Sequence, residues 1–390
     1  MKQQIDMVDT INNRTPKLRF PGFSGEWKEH SLGDSFLERV EKNRSDLPLL
    51  SLGEEGLVYQ SETDRKDNSN ADKSKYLRVA IGDIAYNTMR MWQGRCVCAG
   101  IEGIVSPAYT VCVPKPGIDS SFHYYLFKTE RMIQTFHQHS QGLVSDTLNL
   151  KYEAFSKIKY LLPPTFAEQR KIAECLSAID EIIEAQKQKV EAMKAHKKGL
   201  MQQLFPQNGE ISPRLRFPDF VGKWEEKPFG EICTTITPPI KLQSSEYLQN
   251  GLYPIVDQSQ KLICGWTNDR AGLVSDTPVI IFGDHTCILK YIDFPFIQGA
   301  DGVKILSVKD YFDPQFVFQS FQSNPVKQSG YKRHFSDFKE KTYFFPSPKE
   351  QKKVGVFLSK MDELIGTEQE KLDALQAHKK GLMQQLFPNR

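Results

Sequence analysis

Tyr86-Asn87-Thr88-Met89-Arg90-Met91-Trp92-Gln93-Gly94-Arg95 gathers into one short run the side chains that read nucleic acid. Arginine pairs with guanine, asparagine and glutamine pair with adenine, and apolar atoms meet a thymine methyl, while any of the cations can hold a phosphate. Further along, Asp257-Gln258-Ser259-Gln260-Lys261 and Ser329-Gly330-Tyr331-Lys332-Arg333-His334 have a similar make-up. The candidate contact residues are therefore Asn87, Arg90, Trp92, Gln93 and Arg95 in the first run and Gln258, Ser259, Lys261, Lys332, Arg333 and His334 in the later two. A solvated loop has the same composition, so the inference rests on the recurrence of such runs in both halves of the chain.

Other chemistries are poorly served. Asp284-His285 has the make-up of an acid/base pair, but no nucleophile stands beside it, and a turn between strands explains it better. Cys96 with Cys98, His285 with Cys287 and His137 with His139 lack the second pair that a structural zinc site needs. No GxxxxGK[ST] occurs, no G-x-G-x-x-G follows a strand, and no Asn-Pro-Pro-aromatic or Asp-Pro-Pro-aromatic tetrapeptide of the amino-methyltransferases is present. The expectation is a chain without catalytic residues, metal or cofactor of its own. A net charge of +3, from 51 Lys+Arg against 48 Asp+Glu, names no partner by itself. Seven cysteines without a CxxC fit a reducing cytoplasm better than a disulfide framework. With no N-terminal apolar stretch and no run of about 18 apolar residues, neither export nor membrane insertion is expected.

Two internal repeats supply the elements that must position these runs. PKLRFPGFSGEW at 16–27 returns as PRLRFPDFVGKW at 213–224, identical at eight of twelve positions. AHKKGLMQQLFP at 195–206 returns unchanged at 377–388, and the likeness extends upstream through EQRKIAECLSAIDEII and EQKKVGVFLSKMDELI. Each half is thus an opening motif, a variable body and a closing segment. Heptad spacing marks both closing segments as long helices. Ile172, Ile179, Gln186, Met193 and Leu200 alternate with Leu176, Ile183, Val190, Lys197 and Leu204, and the second helix repeats the seam with Val354, Met361, Glu368, Leu375 and Leu382 against Leu358, Ile365, Leu372, Lys379 and Leu386. Thr165 with Glu168, and Ser347 with Glu350, have capping-box spacing. Gln186 with Glu368 and Lys197 with Lys379 are polar seam positions that could set register, dock another subunit or be partly solvated.

The bodies read as mixed strand and loop, with strand-like runs at 76–89, 103–114, 277–292 and 301–308 and short helices at 121–139 and 314–323. The expected organisation is an N-terminal tail 1–15, a first body 16–163, a helix 164–206, a second body 207–346 and a second helix 347–388. Head-to-tail repetition predicts pseudo-twofold cyclic symmetry, antiparallel helices forming a coiled coil, bodies at opposite ends of the rod pair and chain termini close in space.

The opening RFP-x-F-x-G-x-W, the E-Q-[RK]-K-[IV] helix start, the HKKGLMQQLFP ending, and GDIAYNTMRMWQGR, GIVSPAYTV, YPIVDQSQ, PVIIFGDHT and GADGVKIL in the bodies together resemble the specificity subunit of type I restriction-modification enzymes. The resemblance covers 16–388. It implies an α/β chain with two mixed target recognition domains separated by two long antiparallel helices. Each domain would read one half of a split, asymmetric double-stranded DNA target, with the helices fixing the gap. It also implies two methyltransferase subunits docked on the helices and bringing S-adenosylmethionine, with motor and nuclease subunits using ATP and Mg joining for cleavage. Lys194, His196, Lys197, Lys198, His378, Lys379 and Lys380 are the weaker candidates for subunit contact. The competing reading is a coiled-coil scaffold without DNA readout, which predicts no dependence on DNA and gives the two bodies no reason to diverge more than the frame.

Overall fold

Trp27 and Trp224, one from each copy of the opening motif, are buried at the centres of two large aromatic cores. The computed structural model describes residues 14–388 apart from 54–55, 64–68, 143, 145–146, 208, 239 and 331; most of the expected N-terminal tail and Tyr331 lie outside the described residues. The chain divides into two units, one taking residues up to Ala185 together with those from Leu372 onward, the other Gln186–Lys371. Each therefore holds one body, the first part of the long helix that follows it and the last part of the other long helix.

In the first unit a frame ladder pairs Lys28–Ser31 with Lys159–Leu162 antiparallel, and the second unit repeats it with Glu225–Pro228 and Thr342–Phe345. Inside the first frame lies an antiparallel sheet in the order Phe36–Glu38, Tyr109–Pro114, Ile84–Asn87, Cys96–Cys98; its counterpart runs Cys233–Ile236, Val303–Val308, Val279–Gly283, Leu289–Ile292. A second strand set also recurs. Tyr253–Val256 pairs antiparallel with Gly265–Thr267 and parallel with Phe296–Gln298, which carries Leu273–Val274 on its other edge. In the first body Leu50–Leu52 pairs with Leu57–Tyr59, Leu77–Val79 with Gly103–Val105, and a parallel bridge from Leu49 to Ile104 joins them. Bodies with almost no alignable sequence thus share one topology. The helix expected over 121–139 is two, Ser120–Phe127 and Glu130–His139, because Thr129 ends one by donating to the Leu126 carbonyl and caps the next at Met132.

The long helices are Phe166–Leu204 and Pro348–Leu386. Leu382 and Leu386 pack with Ile172 and Leu176 in the first unit, and Leu200 and Leu204 with Val354 and Leu358 in the second, so the heptad seam meets its repeat in antiparallel sense within each unit. The chain's first and last described segments also meet, the Leu18 amide donating to the Gln385 carbonyl at 3.0 Å. The helix starts depart from the capping-box expectation. Thr165 does accept from the Glu168 amide at 3.2 Å, but the Glu168 carboxylate turns inward to Arg19 at 2.8 Å and to the Trp27 indole at 3.3 Å. Glu350 likewise takes two bonds of 2.7 Å from Arg216. The opening motif and the helix start are each other's partners, which explains why both recur together.

Body and helix are tied by a second repeated device. Asp119 and Asp313 cap their helices at Phe122 and Phe316, and their own amides donate to Gln169 and Gln351 of the long helices at 3.0 Å. One core group titrates in a useful range. His123 is fully buried between the Asp119 carbonyl and the Tyr160 hydroxyl, and burial lowers it to about 4. Because the unfolded chain then binds a proton that the folded chain refuses, the first unit is expected to lose stability as pH falls from about 6.5 towards 4, by on the order of 3 kcal/mol at about 1.4 kcal/mol per unit. His123→Gln should flatten that part of the pH–melting profile; an unchanged slope would remove His123 as its source.

Candidate nucleic-acid interface

The first polar run fills the connection from Ile84–Asn87 to Cys96–Cys98, and in the second body the 257–261 run follows the strand Tyr253–Val256 and the last run precedes the helix Phe335–Lys339. In the first body the connection after Ile84–Asn87 tightens into a short 3-10 turn at Met91–Gln93. The Asn87 side chain accepts from the Met89 amide at 2.9 Å, and the Trp92 indole donates to the Met89 carbonyl at 2.9 Å. Gly94 closes the turn with φ +74°, and a Cβ there would stand 2.9 Å from Ile133. Trp92 is half-buried against the His137 ring, with centroids 5.8 Å apart. The neighbouring loops are bonded on: Thr88 donates to the Ala108 carbonyl at 3.0 Å and its own carbonyl accepts from Leu150 at 2.8 Å. Arg90, Gln93 and Arg95 are left exposed on this rigid base, beside the exposed Met89. All five residues picked from the sequence sit in or beside one turn, although Asn87 and Trp92 spend part of their bonding capacity holding it.

The second body builds its site from four connections. Gln258 donates to the Asp301 carbonyl at 3.0 Å and accepts from the His285 amide at 3.2 Å; the His285 ring contacts the Lys332 carbonyl at 3.2 Å, and Gln328 donates to the His285 carbonyl at 2.9 Å. Segments 257–264, 284–288 and 299–302 are thereby drawn together with Gln328 and with 332–334, bringing Gln258, Ser259 and Lys261 close to Lys332 and Arg333. Lys261, Lys332 and Arg333 are exposed. Gln258 has both side-chain groups engaged internally, so it supports the site. His334 needs correction as a contact residue. It is fully buried, its Nδ1 facing Asp337 at 3.3 Å, and cannot reach a duplex. Bonds from Lys332 and His334 hold the Asp337 carboxyl below its usual range.

Lys290 organises the 257–264 loop from below. Its ammonium is buried and donates to the carbonyls of Asp257 and Lys261, 3.9 Å from the Asp257 carboxylate. Burial lowers the Lys290 pKa; burial also raises Asp257, but bonds from Cys264 and Ser259 outweigh it and bring that carboxyl below its ordinary value. Lys290→Met should leave those carbonyls without their donor, cost about 1–3 kcal/mol, and speed amide exchange over 257–264. Protection identical to the parent would show that the loop holds itself.

Sequence reasoning missed His285, Gln328 and the 299–302 turn as parts of the site. The strand register makes 284–288 the topological equivalent of the Thr88–Arg95 connection, since Ile84 and Ile280 take matching places on Cys112 and Leu306. That correspondence exists only in the pairing pattern.

The helix candidates separate into two kinds. Lys197 is buried and takes both oxygens of Asp362 at 2.6 Å, with Gln319 on the same carboxylate at 2.7 Å. Lys379 repeats this with Asp180, which also accepts from Tyr125 at 2.8 Å. Lys197 is therefore an internal tie between body and helices, a correction to its place among the subunit contacts, while Lys379 makes the matching tie from a half-buried position. Lys194, His196, Lys198, His378 and Lys380 are exposed, Lys194 lying 3.0 Å from Glu191 and Lys380 3.3 Å from Glu130. Gln186 donates to the backbone and carboxylate of Glu368 at 2.8 Å; bonds from Gln186, Lys189 and Lys371 hold that carboxyl down to about 2. Among the described residues no three His, Cys, Asp or Glu side chains are grouped to hold a metal ion, and no helix is long and apolar enough to cross a membrane.

Comparison with known proteins places these features. Residues 26–194 and 222–377 each match the type I restriction modification DNA specificity domain. The chain is 27% identical over 205 residues to the type I restriction enzyme MjaIX specificity subunit of Methanocaldococcus jannaschii, covering 51% of this chain and 47% of that one. It is 32% identical over 87 residues, 21% of each chain, to the EcoR124I/EcoR124II specificity subunit of Escherichia coli. The chain spans about half or less of the length of the curated relatives it matches. Its fold is similar to the type I restriction-modification S subunit from M. genitalium, with a TM-score of 0.64 at 15% identity over 96% of this chain and all of that one. A chain from a structure concerned with complex assembly and conformational transition of the type I R-M system gives 0.52 at 12% identity, covering 94% and 99%.

Proposed function

The chain belongs to the type I restriction-modification specificity subunits, and from that premise we propose that it is the DNA sequence-recognition subunit of such a complex. Each body reads one half of a bipartite, asymmetric target. The observation that carries the reading is the pairing of one repeated frame and one strand topology with two unlike sets of loops. The frame repeats its arginine–glutamate, aspartate–glutamine and lysine–aspartate ties, whereas the loops it carries differ, as two different half-sites require. Arg90, Gln93 and Arg95 in the first body and Lys261, Lys332 and Arg333 in the second are the contacts, with Asn87, Trp92, Gln258 and Ser259 shaping their loops.

The subunit is non-catalytic. Two methyltransferase subunits dock on the long helices and supply S-adenosylmethionine for adenine methylation, and motor and nuclease subunits that use ATP and Mg complete a cytoplasmic restriction complex. Lys194, His196, Lys198, His378 and Lys380 are the exposed helix residues available to these partners. Phosphate contacts supply salt-sensitive affinity, while each bidentate base contact adds about 1–3 kcal/mol of discrimination. Exchanging residues 28–163 for the corresponding body of another specificity subunit, and mapping methylated sites, tests the reading. One half-site should change while the other and the gap persist; loss or change of both would contradict independent reading by the two bodies.

A further inference from the structure

We propose that the groove beside the end of the second long helix, in the first unit, is a docking site for an acidic, extended polypeptide segment of a partner subunit. This rests on the reading that the chain works in a multisubunit assembly, and it adds where and by what charge one partner is held.

Both units carry this groove at equivalent places. In the second unit it lies between the helix end at Phe205 and Pro206, the helix carrying Ser320 and Ser323, and the frame strand at Tyr343. The chain itself continues into it: Gln207, Gly209, Glu210 and Ile211 line the space, and about 370 Å³ remains. Gln207 is fastened there, donating from its amide to Glu210 at 3.1 Å and from its side chain to the Phe205 carbonyl at 3.0 Å. In the first unit the corresponding walls are Phe387 and Pro388, Leu126 and Thr129, and Tyr160. The space there is about 610 Å³.

The charges differ as sharply as the filling. Among the described residues, Lys17, Lys128, Arg131, Lys379 and Lys380 line the first groove together with one acid, Glu130. The described residues lining the second groove include no lysine or arginine and carry Glu210 and Glu226. Lys379 is engaged by Asp180, and the Lys380–Glu130 pair at 3.3 Å is about 70% exposed on both sides, a geometry that neutralises little. The floor is apolar, formed by Met383, Phe387 and Met132. A bare phosphate would leave that floor uncovered, whereas a polypeptide with acidic side chains covers the floor and meets the rim. The second groove shows that the frame accepts an extended segment there. Residues 1–13 carry Lys2 against Asp6 and Asp9, little net acidity to meet this rim.

The test uses the full chain assembled with its methyltransferase subunit. A photo-cross-linking residue at Gln384, exposed and lining the groove, should join to an acidic stretch of that subunit. Lys17→Glu with Lys380→Glu should weaken uptake of the subunit tenfold or more in low salt, with the difference shrinking as salt rises; Asn324→Glu, which adds acid to the second groove, should leave uptake unchanged. Cross-linking to residues 1–13 or to DNA instead, or undiminished uptake by a double variant that melts like the parent, would overturn the proposal. A parent chain that takes up no methyltransferase subunit at all would instead overturn the assembly reading on which it stands.

Discussion

Arg216→Ala is expected to destabilise the second unit by about 3–5 kcal/mol, the cost of leaving a buried charge without its partner. Glu350 is 1% exposed, and both its oxygens are held by this one guanidinium, which also donates to the carbonyls of Val221 and Gly222. The bond to Glu350 raises the Arg216 pKa further, so the guanidinium keeps its charge. The matching change in the first unit, Arg19→Ala, should cost less, because Glu168 keeps the Trp27 indole as a donor, whereas the Trp224 indole has no partner among the described residues. Denaturant unfolding of Arg216→Ala, Glu350→Leu and the double variant closes the cycle. The double variant should be more stable than Arg216→Ala, since it removes the orphaned carboxylate. A double variant no better than the single one would show that packing of the arginine stem matters more than the buried charge.

Arg90→Ala is expected to relax one half-site by roughly 10- to 100-fold, equivalent to about 1–3 kcal/mol of lost discrimination, and to leave the other half-site untouched. The side chain projects from a turn fixed by Asn87, Trp92 and Gly94, so its removal takes away a contact without disturbing the loop. Salt dependence distinguishes its role. A base contact changes sequence preference with a small change in salt slope, whereas a phosphate contact weakens binding evenly across sequences and lowers the slope by about one. Preference unchanged at every position would remove Arg90 from the readout.

The frame was legible in the sequence because its signals are local. Heptad spacing located both helices, and the exact repeat of AHKKGLMQQLFP showed that their ends do one job twice. What the spacing could not show was where a side chain turns. Glu168 stands three residues after Thr165, as a capping box requires, yet its carboxylate serves Arg19, 149 residues away in the chain. Lys197 and Lys379 looked like polar interruptions of a seam. Their acids, Asp362 and Asp180, are also spaced by the repeat, a signal present in the sequence and overlooked. In the bodies the runs around Arg90 and Lys332 were visible by composition, but the bond chain from Gln258 through His285 to Lys332 depends on strand register across 74 residues. The burial of His334 had no local signal, because it lies at the start of a short helix whose Phe338 packs into the core.

The most direct measurement is to co-express the chain with its methyltransferase subunit in a host lacking other such systems and map methylated adenines by single-molecule sequencing. The account predicts a split, asymmetric motif with a fixed gap, methylated only when the chain is present. A palindromic motif, or methylation that does not depend on the chain, would contradict recognition by two unlike bodies on one repeated frame.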